Sequence, residues 1–246
     1  MGLFILPLVL LCSGAGDASA AEQGGSYLCQ PAFCVDYALR VPTEPYTPQP
    51  GDIFLATDQQ LWSRVGHWLA GGGGLHHSGI ILMRSNGGPA LIEAGPFNSL
   101  KIAILDPCTH MREHVAAGDR VWIRRRRVPL TPEQTARLTE FAEAQDGKPF
   151  AMLRMLAQVT PFRSRSPLRV YFLGTAHGSR DKFFCSELVM ESCVAAGLHD
   201  PFTARPDSTY PRDLFFGKSI NRYLNEHLEL DAGWYPPARW LEQPCK

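Results

Sequence analysis

His77-Ser78-Gly79-Ile80-Ile81-Leu82-Met83, Arg84, Ser85-Asn86-Gly87-Gly88, Pro89, Ala90-Leu91-Ile92-Glu93-Ala94 reads as two apolar runs about a Ser-Asn-Gly-Gly turn. Runs of five to seven residues rich in Ile and Leu, separated by turn residues, predict an antiparallel hairpin. The pairing places His77 and Glu93 on adjacent strands. A histidine and a carboxylate in that relation form the base half of a nucleophilic triad once a nucleophile is found.

Cys185 supplies the nucleophile. Phe183-Phe184-Cys185-Ser186-Glu187-Leu188-Val189-Met190-Glu191-Ser192-Cys193-Val194 follows the turn Gly178-Ser179-Arg180-Asp181 and reads as a helix closed by Gly197. Cys185 falls in its first turn. There the positive end of the helix dipole and the unused N–H groups favour a thiolate, and the same N–H groups can face an oxyanion. A lone cysteine on an apolar helix face is usually a small buried hydrophobe, the reading given to Cys193. A strand glutamate between Ile92 and Ala94 could equally be a solvent-facing residue. His76 could replace His77, although alternation sends the two to opposite faces. The triad Cys185, His77 and Glu93 rests on the combination.

Outward from these motifs, Gly51-Asp52-Ile53-Phe54-Leu55 predicts a buried strand. Gln59 to Ala70 predicts a helix with Leu61, Val65 and Leu69 on one face, broken by Gly71 to Gly74. Leu100 to Leu105 and Arg120 to Val128 read as strands flanking a short helix after Pro107. Thr131 and Pro132 open a helix with Leu138, Phe141 and Ala142 on its buried stripe, and Gly147 stops it. A further helix follows Pro149, and Arg163 to Arg169 reads as a basic connection. The expected class is α+β, an antiparallel sheet packed against helices.

Met1 to Ala21 combines an apolar run, Leu3 to Leu11, with the small residues Ala18-Ser19-Ala20, and reads as an export signal. The apolar run falls well short of the ~20 residues a membrane span needs. Leu11 weakens Val9-Leu10-Leu11-Cys12 as a lipoprotein box. Residues 22 to 49 read as an irregular leader and 50 to 246 as one domain. With 24 basic and 24 acidic residues the net charge is zero, so no bulk field recruits nucleic acid or anionic membrane. Beyond the signal there are six cysteines: Cys29, Cys34, Cys108, Cys185, Cys193 and Cys245. Cys29, Cys34 and Cys245 are the expected bridge partners after export. A catalytic Cys185 leaves an odd remainder. No CxxC pair suggests a thiolate metal site.

Taken in order, Pro50-Gly51-Asp52-Ile53, His77-Ser78-Gly79-Ile80, Ile92-Glu93-Ala94, Gly147-Lys148-Pro149-Phe150 and Phe184-Cys185-Ser186-Glu187-Leu188-Val189 resemble the motifs of the circularly permuted NlpC-type papain-like family, the YiiX/YaeF-like amidases. The resemblance covers about residues 50 to 216. It implies a papain-like fold, the triad Cys185, His77 and Glu93, no cofactor, and a peptide or small-molecule substrate such as cell-wall peptide. Lipid acyl bonds are the second substrate class. The Asn-Cys-Glu-His stretch of the lecithin:retinol acyltransferase branch is absent.

Two further patterns compete. His110-Met111-Arg112-Glu113-His114 matches the H-x-x-E-H of inverted zinc peptidases, with two histidines a turn apart beside a glutamate. No third ligand is evident from spacing, and a solvated helix face is the plainer expectation. Arg124 to Arg127 could bind anions, but reads as surface charge at a domain edge. A noncatalytic binding module of the same fold is the remaining alternative.

Overall fold

The computed structural model describes residues 25–29, 43–58, 65, 74–95, 99–153, 178, 180–219, 228 and 230–243 of the 246. Among these, eight strands form one antiparallel sheet: β1 Tyr27–Cys29, β2 Thr43–Pro45, β3 Ile53–Ala56, β4 His77–Met83, β5 Pro89–Ala94, β6 Ile102–Leu105, β7 Val121–Arg124 and β8 Ala238–Leu241. Their order across the sheet is β2-β1-β8-β7-β3-β4-β5-β6. The α+β class expected from the sequence is the class observed. Strands β1 and β2 fall within the segment expected to be an irregular leader. They join the sheet because β8, from the far end of the chain, offers β1 an edge to pair with. The export signal, Cys34, Cys245, and nearly all of the helix expected over 59 to 70 lie outside the described residues; Cys29 is buried at the end of β1.

The β4–β5 hairpin has the expected turn. Gly87 and Gly88 both take positive φ, which a side chain would oppose. The register pairs Gly79 with Glu93, Ile80 with Ile92 and Ile81 with Leu91. Alternation then divides the apolar residues between two faces. Ile53, Leu55, Ile80, Leu82 and Ile92 point to one side; Phe54, Ala56, Ile81, Leu91 and Ile123 point to the other.

Two longer helices cover the first face. α2, Pro132–Gln145, is opened by Thr131, whose hydroxyl accepts from the Gln134 N–H while the Gln134 side chain accepts from the Thr131 N–H. Leu138 and Ala142 are fully buried, as their spacing predicts. α3, Cys185–Ala195, buries Leu188, Val189 and Cys193 against the same face, and Gly197 follows it at φ 70°. On the second face lies α1, Pro107–Ala116, capped by Asp106, which accepts from the Thr109 N–H at 2.7 Å. Short helices α4, Pro211–Phe216, and α5, Leu230–Gly233, close the domain.

Arg124 departs from the surface role expected for the Arg124 to Arg127 run. It is buried at the end of β7, donating to the carbonyls of Leu214, Phe215 and Tyr235 and to Asp231 Oδ1 at 2.7 Å. Its planar fork satisfies the C-terminal carbonyls of α4 and ties in the Asp231 side chain of α5 and the Tyr235 carbonyl beyond it, all from a single strand residue. That role needs the C-terminal helices in place, so spacing within the run could not reveal it. Asp52 has a comparable structural task. Buried before β3, it accepts from Tyr46 Oη at 2.9 Å and from the Arg126 N–H at 2.7 Å. Burial raises its pKa to about 6, against the opposing effect of those hydrogen bonds.

Candidate active site

His77 begins β4 and Glu93 lies near the end of β5, so the hairpin presents both on the α1 side of the sheet. They are diagonal neighbours, because Glu93 is directly opposite Gly79. His77 Nε2 lies 2.9 Å from Glu93 Oε2. Glu93 is fully buried, whereas the His77 side chain is 14% exposed. The solvent-facing strand position considered for Glu93 is therefore corrected, since α1 covers that face.

Cys185 is the first residue of α3, following Phe184 in extended conformation. The thiol reaches the start of β4, where its Sγ lies 3.9 Å from the His76 carbonyl oxygen, close enough to the His77 side chain to favour its protonated form. Glu93 holds Nε2 of His77, which leaves Nδ1 for the thiol. All three residues expected to form the triad are thus brought together from three separate stretches of chain. His76, the competing base, is buried and accepts the Asp58 N–H at Nδ1.

Electrostatics follow from this packing. Burial by itself would lower the pKa of His77, but the Glu93 charge and hydrogen bonds with Cys185 and Glu93 outweigh it and hold the imidazole well above its usual 6.5. Burial would raise Glu93; the charge of His77 and hydrogen bonds from His110 and His77 win, keeping the carboxyl well below the ordinary range. Cys193, two turns along α3, is enclosed by apolar side chains, and burial pushes its thiol up to about 12.

The helix that carries the nucleophile is anchored by its own acids. Glu187 Oε2 accepts from the Phe184 N–H at 3.2 Å, and Glu187 Oε1 lies 3.1 Å from Arg180 Nε. Glu191 Oε1 accepts from the Gly178 N–H at 3.1 Å. These contacts fix the approach of the chain to Cys185. Phe150 of the Gly147-Lys148-Pro149-Phe150 stretch bridges to Phe183 and packs over Gly95, where an added Cβ would lie 3.0 Å from its ring.

A second group of side chains meets Glu93 from α1. His110 Nε2 lies 2.9 Å from Glu93 Oε1 and 3.2 Å from His114 Nε2, and His114 Nδ1 lies 2.8 Å from Asp119 Oδ2. The i,i+4 spacing puts both histidines on the face that α1 turns to the sheet, against Phe54. The solvated helix face expected for this stretch is corrected, because both rings are buried. Glu113 is not part of their meeting point: it is 56% exposed and approaches His110 from Nδ1 at 3.4 Å. Burial and the neighbouring charges of His77 and His110 lower the pKa of His114 to about 3. The H-x-x-E-H spacing marked the two histidines. Nothing local marked their convergence on Glu93 or the role of Asp119, which only the return of the chain after Gly118 brings back to the helix.

No protein-family profile matches the chain, and no curated protein matches it. Among solved structures it is similar to the metalloprotein yiiX from Escherichia coli O157:H7, with 22% sequence identity over 61% of this chain and 67% of that chain and a TM-score of 0.42. A likeness of that size carries no argument about what this chain does. Among the described residues no helix is long and apolar enough to cross a membrane.

Proposed function

We propose that the protein is a cysteine hydrolase that cleaves an amide, ester or thioester bond through an acyl-enzyme formed on Cys185. The observation that carries this reading is the placement of His77 between the Cys185 thiol and the buried Glu93 carboxylate, with Nε2 2.9 Å from Oε2. Glu93 fixes the imidazole tautomer and stabilises its protonated form, so the thiol proton has a destination. Cys185 Sγ attacks the carbonyl carbon; His77 then passes the proton to the leaving group. Water, deprotonated by His77, releases the acid and restores the thiol. At the first position of α3 the Cys185 N–H is outside the helical ladder and is the expected oxyanion donor.

His77, the most exposed of the three at 14%, marks the side from which substrate would arrive. Peptide amides of the cell wall are the proposed substrate class, in keeping with the proposed export of the chain, and lipid acyl bonds are the second. Labelling with a fluorescent iodoacetamide across pH, with peptide mapping, tests the mechanism. Cys185 is expected to react at pH 6 to 7, where an ordinary thiol of pKa about 8.5 is slow. His77→Ala should abolish that reactivity, and Cys193→Ser should leave it intact. Slow labelling of Cys185 in the native protein, or labelling indifferent to His77→Ala, would sink the triad.

A further inference from the structure

The meeting of two helix histidines with the carboxylate of a neighbouring strand has the composition of a metal site. We infer that Glu93, His110 and His114 bind one divalent transition-metal ion of the zinc class, coordinated through Glu93 Oε1, His110 Nε2 and His114 Nε2. One donor atom from each of these residues lies within 4.8 Å of the others. With metal–ligand distances of about 2.0 to 2.2 Å, the donors of a tetrahedral zinc site lie about 3.3 Å apart along each edge. The observed separations are 2.9 Å between Glu93 Oε1 and His110 Nε2, and 3.2 Å between the two Nε2 atoms. Along these two edges the donors need separate by only a few tenths of an ångström to admit an ion, and the third edge, Glu93 to His114, is within 4.8 Å.

The surroundings support the same assignment. A ligating histidine is typically oriented by a carboxylate on its other ring nitrogen. Asp119 Oδ2 stands 2.8 Å from His114 Nδ1, and Glu113 Oε2 stands 3.4 Å from His110 Nδ1. An ionised Asp119 accepts a hydrogen bond from Nδ1–H, which leaves the Nε2 lone pair free to face the shared point. All three ligands are buried, Glu93 completely, and the rings are walled by Phe54. Two imidazoles and one carboxylate suit zinc or its neighbours better than calcium or magnesium, which prefer all-oxygen shells. Glu93 completes the two histidines of the H-x-x-E-H spacing as third donor, and Glu113 stands behind His110 at Nδ1 and not at the ion. This donor set leaves a fourth position for water. Bound there, the ion would tie α1 to β5 and share Glu93 with His77.

The test uses the full chain, stripped of metal by chelator and titrated with Zn(II) and with Co(II), whose visible spectrum reports its ligands. One equivalent should bind, raise the thermal midpoint and, for Co(II), give ligand-field bands without a thiolate charge-transfer band. Cys185→Ser and His77→Ala should leave that stoichiometry unchanged. His114→Ala should abolish it, and Asp119→Asn should weaken zinc affinity about 10- to 100-fold. His114→Cys keeps a ligand and should restore binding while adding the thiolate band, which separates loss of a ligand from loss of the fold. Absence of a stoichiometric site in the wild type would overturn the inference. So would binding that vanishes in Cys185→Ser, since the ion would then sit on the proposed nucleophile. The labelling of Cys185 in metal-free protein is read separately, so failure of the thiol reading and failure of the metal site are distinguishable.

Discussion

Gly79 lies directly across the β4–β5 ladder from Glu93, on the same face of the sheet, and the space that a side chain at position 79 would claim is closed by the backbone of Ile92 and the side chains of Leu91 and Glu93. A Cβ there would lie 2.8 Å from the Ile92 carbonyl oxygen and 3.2 Å from Glu93 Cβ. Leu91 Cδ1, also 2.8 Å away, is a side-chain end that can turn aside, but the Ile92 carbonyl is backbone, so accommodation requires the strands to shift. The glycine thus clears the diagonal by which Glu93 reaches His77.

Gly79→Ala should therefore destabilise the fold by about 1 to 3 kcal/mol through overpacking. It should also slow alkylation of Cys185 more than a loss of stability explains. Urea unfolding and iodoacetamide labelling below the transition would measure the two effects. An unchanged labelling rate would mean that Glu93 keeps its place beside His77 despite the added methyl group.

The His77–Glu93 pair makes a signed prediction about pH. Glu93 is depressed in the folded state, so its contribution is present above its unfolded pKa near 4.5 and is lost as pH falls. His77 is raised, so its contribution is fully present below 6.5 and declines as pH rises toward its folded value. The coupling from a double-mutant cycle of His77→Ala and Glu93→Ala should be largest between about pH 4.5 and 6.5. A coupling that is flat from pH 4 to 9 would contradict the ion pair.

Asp52 carries the opposite sign to Glu93. Its folded pKa is raised from 3.8 to about 6, so the folded protein holds this proton more tightly than the unfolded chain. Ionising it costs stability as pH rises across that interval. Relative to Asp52→Asn, the wild type should gain stability between pH 7 and pH 4, as read by unfolding in urea. Parallel curves for the two proteins would show that burial does not penalise the Asp52 charge.

Arg124 gives a test of the fold away from the site. Arg124→Met removes the donors from three carbonyls and from the exposed Asp231, and should cost about 1 to 3 kcal/mol for each carbonyl left buried without a donor. Arg124→Lys should recover only part of it, because an ammonium cannot reproduce the planar fork. Equal stability of all three proteins would make the buried network energetically silent.

Elements governed by local rules are legible in the chain's own residue pattern. Two glycines between apolar runs specify the β4–β5 turn, Thr131, Pro132 and Gln134 specify the start of α2, and the apolar stretch after Phe184 specifies the helix that begins at Cys185. Periodicity places Cys185 at a helix start and His77 and Glu93 on paired strands, while their grouping as a triad rests on the combination of residue types and on the family resemblance. Tertiary structure alone decided what surrounds them. Burial of Arg124 depends on α4 and α5, which lie some ninety or more residues away in the chain. The union of His110 and His114 with Glu93 depends on which face of the sheet α1 covers. Helical spacing says that two histidines share a face, but not what that face meets. Only packing, which answers to the whole distribution of apolar surface, places a strand carboxylate between two histidine systems.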